Sequence, residues 1–115
     1  MTDTEYAELY LRKAQSAKDA GIEFELTFAE YKRLRKMKRC AYSGEVFSEY
    51  ENGVPVDKWR SRTLDRIDNT LGYIKGNVVA VCKGVNQFKA VWENPNNELD
   101  LLMVERIIRN VVKSI

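Results

Sequence analysis

Within Leu64–Ala90 (LDRIDNTLGYIKGNVVAVCKGVNQFKA) the carboxylate of Asp65, the carboxamides of Asn77 and Asn86 and the amine of Lys89 stand in a chemically useful order. A hard divalent cation such as Mg²⁺ takes oxygen ligands, keeps several waters and needs few groups from a protein. Asp65 and Asn86 supply such a pair, with a substrate phosphate completing the shell. An ion held in this way orients a phosphodiester and stabilises the charge that develops on the leaving oxygen. Lys89 and Lys83 each lie three residues from Asn86, on nearly the same helical face, where both can contact backbone phosphate. Each residue also has a structural use, because Asp65 can satisfy loop amides and Asn77 and Asn86 can cap turns. Taken together, their order and spacing favour the chemical use.

These side chains require a strand carrying Asp65, a polar loop, a second strand opened by Asn77, and a short helix bearing Asn86 and Lys89. Asp68-Asn69 and Leu71-Gly72 punctuate the loop, Gly76 suits a positive φ, and the Asn77 amide is placed to brace the turn. Upstream, Thr2 with Glu5 has capping-box spacing, and the helix it opens stops at Gly21. Ile22–Leu26 alternates as an extended segment. Thr27 with Glu30 opens a second helix on the stripe Phe28, Tyr31, Leu34 and Met37. Cys40–Gly44 reads as a turn, Val46–Phe47 as the start of a strand, and Glu51–Asp57 as loop.

Pro95 breaks the chain within Asn94–Asn97, and a last helix runs from about Glu98 to Ser114. Its stripe Leu101, Val104, Ile108, Val111 and Ile115 is expected to pack on the core, with a dimer seam as the alternative. The expected class is α+β: a two-stranded hairpin plus helix, flanked by N-terminal and C-terminal helices. We expect a single domain over residues 1–115, with a helical part at 1–39, the hairpin–helix unit at 40–92 and the final helix at 98–115.

Composition narrows the classes. The chain has 115 residues, 44% hydrophobic and 31% charged, which suits a soluble domain with a core. No apolar run is long enough to span a bilayer, and the acidic start MTDTEYAELY is not a signal peptide. A cytoplasmic location is therefore expected, with no membrane partner. Two cysteines fit reducing surroundings better than a disulfide framework. Net charge is only +2, but six of the eight residues Lys32–Arg39 are basic. Lys32, Arg33, Arg35, Lys36, Lys38 and Arg39 thus form a candidate face for a polyanionic backbone. A solvated helix face explains the same run equally well. Trp59 and Trp92 can stack on bases, but core packing is their expected use.

The motif Asp65-Arg66-Ile67-Asp68, Gly72-Tyr73, Gly76-Asn77-Val78, then Asn86 and Lys89, resembles the HNH (ββα-metal, or His-Me finger) endonucleases, and above all their small phage-type members. Cys40–Phe47 (CAYSGEVF) is similar to the cysteine-knuckle entry of that finger, so the resemblance covers roughly residues 40–90. It implies a metal-dependent endonuclease that hydrolyses DNA, in preference to RNA, with one Mg²⁺ or Mn²⁺ ion. By the same resemblance Asp65 and Asn86 are the metal ligands, Asn77 is the bracing Asn, and Arg66 stands at the position of the catalytic histidine.

The chain contains no histidine. Arginine stays protonated and cannot act as an ordinary base, although it can hold a phosphate. Asp68 or a metal-bound hydroxide would have to serve instead. Losing general-base help typically costs about 10²–10⁴-fold in rate, so the departure weakens an enzyme without abolishing one. The alternative is a catalytically inactive relative that binds nucleic acid or a host or phage protein as a regulator or inhibitor. The knuckle positions read Cys40 with Ser43 and Cys82 with Val85. Two thiolates do not complete a tetrahedral site, so no structural zinc is expected and the two thiols should lie buried together.

Overall fold

A computed structural model describes all residues, Met1–Ile115. Helix α1 (Asp3–Asp19) starts where the Thr2 hydroxyl accepts the Glu5 amide at 3.2 Å, and α2 (Phe28–Arg35) where Thr27 accepts Glu30 at 3.2 Å. Both caps satisfy amides that a helix start otherwise leaves without a partner. Helix α2 buries Tyr31 and Leu34 and ends before Met37, which is exposed. The basic run is therefore only half helical, with Lys36–Arg39 trailing out of the last turn.

Arg39 and Val46 then form a single antiparallel bridge, so no strand begins at Val46–Phe47. The stretch Glu51–Asp57, read as plain loop, instead contains the small hairpin β1 (Tyr50–Glu51) and β2 (Val54–Pro55). Asn52 and Gly53, both at positive φ, make its two-residue turn. Asn-Gly favours that geometry, so the signal was present in the sequence.

A short 3₁₀ turn (Lys58–Arg60) leads into β3 (Arg62–Arg66), which pairs antiparallel with β4 (Val78–Cys82). Asp65 lies opposite Val79 in that register. Helix α3 (Lys83–Glu93) follows β4 directly. The molecule thus joins helices to a small sheet. Leu64, Val78, Ala80 and Val81 meet Leu26, Tyr31, Leu34 and Phe47 in one apolar cluster. Val81 has no exposed surface, and full burial of such a side chain is worth about 1.5–3 kcal/mol. This cluster fixes the strands beneath α3.

Further expectations fail. Helix α4 (Leu101–Ser114) starts later than Glu98, with Asp100 accepting the Met103 amide at 2.8 Å. It does not pack on the core: Val104 is buried, but Leu101, Leu102, Ile107, Ile108, Val111 and Val112 are exposed. Asn97 in the Asn94–Asn97 break donates to the Val91 carbonyl at 2.6 Å, and no residue of α4 belongs to the core cluster. Nor is Trp59 a core residue, for it is 67% exposed. Its ring lies over Gly84, where a Cβ would fall 1.6 Å from the ring, so glycine is needed for this close approach.

Candidate functional site

The loop between β3 and β4 hangs from Asn77. Its side chain accepts the Asp68 amide at 2.9 Å and donates to the Asp68 and Gly72 carbonyls at 3.0 and 2.9 Å. Asn77 is buried, and Gly76 before it has φ +88°, a region that glycine enters without strain. Arg66 works on the same loop from outside. Its Nη1 donates to the Asn69 and Leu71 carbonyls at 3.0 and 2.9 Å, and the guanidinium lies 5.5 Å from the centre of the Tyr73 ring. The Asp68 carboxylate accepts both the amide and the hydroxyl of Thr70, which hold its pKa below the usual carboxylate value.

The tertiary fold brings Asp65 and Asn86 to one cavity of about 340 Å³, which is also lined by Arg66, Asn69, Tyr73 and Glu93. Seven residues separate Asn86 from Glu93, close to two helical turns, so α3 presents both on one side. Lys89 lies between them. Its ammonium is 3.1 Å from Asp65 Oδ2, 2.6 Å from Glu93 Oε2 and 3.0 Å from the Arg66 carbonyl. The residue is 8% exposed, so Lys89 is an internal ion-pair partner here and not the surface phosphate contact its spacing suggested. Tyr42 donates a further hydrogen bond of 3.0 Å to the same Asp65 oxygen. Burial, reinforced by that bond and by the charge of Asp65, pushes the Tyr42 phenol well above its ordinary value.

Sequence reasoning missed Tyr42 and Glu93. The spacing from Asn86 could have revealed Glu93. Nothing local could have revealed Tyr42, which comes from a turn 23 positions before Asp65.

Oxygen donors from Asp65, Asn86 and Glu93 around one cavity are the donor type that Mg²⁺ or Mn²⁺ accepts. The donor set fits such an ion by type, with the Lys89 ammonium seated against Asp65 and Glu93 in this arrangement. At the knuckle positions, the Cys40 sulfur accepts the Cys82 amide at 3.3 Å, and both thiols are free and buried. Ser43, Cys82 and Val85 line one adjacent cavity, so the four positions converge although only two carry sulfur. Burial, together with Cys40 beside it, pushes the Cys82 thiol up to about 11.

The basic run is partly occupied. Lys32 pairs with Asp3, Arg33 pairs with Glu30 at 3.3 Å, and Arg39 donates to the Gly44 carbonyl at 3.1 Å. Arg35 is half-buried, whereas Lys36, Lys38 and Lys83 are exposed. Lys36 sits 5.7 Å from the Tyr6 ring centre. No helix of the chain is long and apolar enough to cross a membrane.

Over 95% of its length the chain superposes on 78% of the solved HNH restriction endonuclease PacI, with a TM-score of 0.58 at 16% identity. The fold is of the HNH type. No protein family model matches the sequence. An uncharacterized 29.0 kDa protein of Enterobacteria phage T4, encoded between dda and modA, is 44% identical over 75 residues. That match takes in 65% of this chain and 28% of the phage protein. An uncharacterized protein of Acanthamoeba polyphaga mimivirus is 31% identical over 83 residues, 72% of this chain and 14% of its own length. The chain therefore corresponds to less than a third of either viral relative.

Proposed function

We propose that the chain, as one HNH-like domain over residues 1–115, is a phage-encoded metal-dependent endonuclease that cleaves DNA phosphodiesters in the host cytoplasm. The observation that carries this reading is the cavity where Asp65 of β3 meets Asn86 and Glu93 of α3, beside a loop tied down by Asn77. The HNH-type fold and the phage T4 relative support it.

Asp65 and Asn86 would hold one Mg²⁺ or Mn²⁺ ion. Bound there, such an ion stabilises charge on the phosphate and leaving oxygen. Asn77 keeps the loop in place, so the Asp65 carboxylate and the Arg66 carbonyl stay in register with α3. Exposed Lys83, Lys36 and Lys38 would contact backbone phosphate, giving an affinity that falls steeply with salt. No histidine is present, so proton removal from the attacking water falls to another group. Asp68 lines a neighbouring cavity, but Thr70 holds its carboxylate and lowers its pKa. That makes it a weak base and favours a metal-bound hydroxide.

Plasmid nicking in Mg²⁺ or Mn²⁺ tests this, beside EDTA and the Asp65→Ala/Asn86→Ala variant. Metal-dependent nicking that disappears in the variant is the expected result. Intact plasmid, with salt-sensitive DNA binding retained, would sink the catalytic reading.

A second reading is a non-cleaving regulator that binds nucleic acid or a host or phage protein. Two contacts favour it: the Arg66 guanidinium is held by loop carbonyls, and the Asp65 carboxylate is already paired with Lys89.

A further inference from the structure

The nuclease reading leaves Lys89 unexplained as the structure places it. A buried ammonium ordinarily repels a divalent ion, yet this one sits against the carboxylate that should bind the ion. Its surroundings are informative. Two carboxylates and a backbone carbonyl enclose the nitrogen at 2.6–3.1 Å, with Asn86 lining the neighbouring cavity. That is an oxygen cage for a hard cation, with an ammonium in the cation's place.

We infer that Lys89 is a built-in counter-ion occupying the cation position, which a divalent ion takes only by displacing it, and that Glu93 is a third oxygen ligand beside Asp65 and Asn86. The inference rests on the reading that this cavity takes a divalent ion, and it adds how entry is controlled.

The physics supports an exchange. Asp65 and Glu93 both approach one nitrogen, and a buried carboxylate this close to a half-buried one is repelled unless a cation lies between them. Lys89 supplies that cation. A divalent ion carries twice the charge and cannot share the space with the ammonium. Lys89 has a flexible four-carbon stem, so it can swing out of the cage to the mouth of the cavity, where a DNA phosphate would receive it. Apparent ion affinity is then lowered by the fraction of molecules in which Lys89 remains seated.

Mn²⁺ binding followed by electron paramagnetic resonance tests the exchange without relying on cleavage. Lys89→Met should bind Mn²⁺ at least about tenfold more tightly than wild type, and the added Asp65→Asn change should abolish that gain. Within the Lys89→Met background, Glu93→Gln should weaken binding by about tenfold if Glu93 is a ligand. Lys89→Gln is the second variant should the methionine protein fail to fold.

In the wild type, Mg²⁺ should move the Lys89 ¹³Cε resonance to that of a solvent-exposed lysine, a readout that needs no mutation. If wild type binds Mn²⁺ through Asp65 but neither Lys89 variant binds more tightly, the counter-ion inference falls and the cavity reading stands. An unchanged Lys89 resonance at Mg²⁺ saturation overturns it too. If no variant shows Asp65-dependent binding, both fall. Binding that appears only once Lys89 is replaced upholds the inference in its strongest form.

Discussion

Asn77 and Asp68 are joined reciprocally: the Asn77 carboxamide oxygen accepts the Asp68 amide at 2.9 Å, and its nitrogen returns to the Asp68 carbonyl at 3.0 Å. This pair closes the turn that follows β3, just past the Ile67 amide, which donates to the Asn77 carbonyl at 2.8 Å.

Replacing Asn77 with Ala removes those two bonds and the one to Gly72, leaving loop groups without partners in a buried setting. The expected loss is about 2–3 kcal/mol, or roughly 10 °C in melting temperature. Thermal unfolding by circular dichroism measures it. A loss under about 0.5 kcal/mol would show that the loop holds itself without Asn77.

Arg66 separates two roles. Its guanidinium grips the Asn69 and Leu71 carbonyls, so Arg66→Ala should destabilise the fold by about 1–2 kcal/mol. If that grip is its whole role, metal-dependent nicking should stay within about tenfold of wild type. A drop beyond about 100-fold in a variant of unchanged melting temperature would instead make Arg66 a phosphate contact.

Tyr42 gives the protein an alkaline weakness. Burial and the bond to Asp65 raise its phenol in the folded state. Between the ordinary tyrosine value of about 10 and the raised one, the unfolded chain loses the proton while the folded chain keeps it. That contribution to stability is therefore complete below about pH 10 and declines above it. Urea midpoints across pH 8–11 should fall less steeply for Tyr42→Phe than for wild type. Parallel curves would show that Tyr42 titrates alike in both states. Tyr31, raised by its own burial, remains in both proteins and cancels in the comparison.

The convergence of Cys40, Ser43, Cys82 and Val85 predicts a gain of function. Ser43→Cys with Val85→Cys supplies four thiolates, the number a tetrahedral structural zinc site requires. The double variant should retain one zinc per chain through gel filtration and melt at least about 10 °C higher with zinc than without. A folded double variant that retains no zinc would mean that the four positions face the wrong way for tetrahedral geometry.

Both early helix starts were legible, since Thr2 and Thr27 act within one turn of chain. So was the order of strand, braced loop, strand and helix across Leu64–Ala90. The Asn52-Gly53 hairpin is equally local, because Asn-Gly by itself favours the two-residue turn. The position of α4 was not legible: its apolar stripe announces a helix, but amphipathicity does not say what covers that face.

The sequence by itself determined which groups are available: oxygen donors at Asp65 and Asn86, no histidine anywhere, and the polar loop that Asn77 can brace. Those are properties of residue type and short spacing. Only the tertiary structure decided that Tyr42 reaches Asp65, that Glu93 shares its cavity, and that the Lys89 ammonium is buried between carboxylates. Each of these depends on how α3 and the Cys40–Gly44 turn pack against β3. Such packing is set by burial of the whole apolar cluster, which no local stretch of sequence encodes.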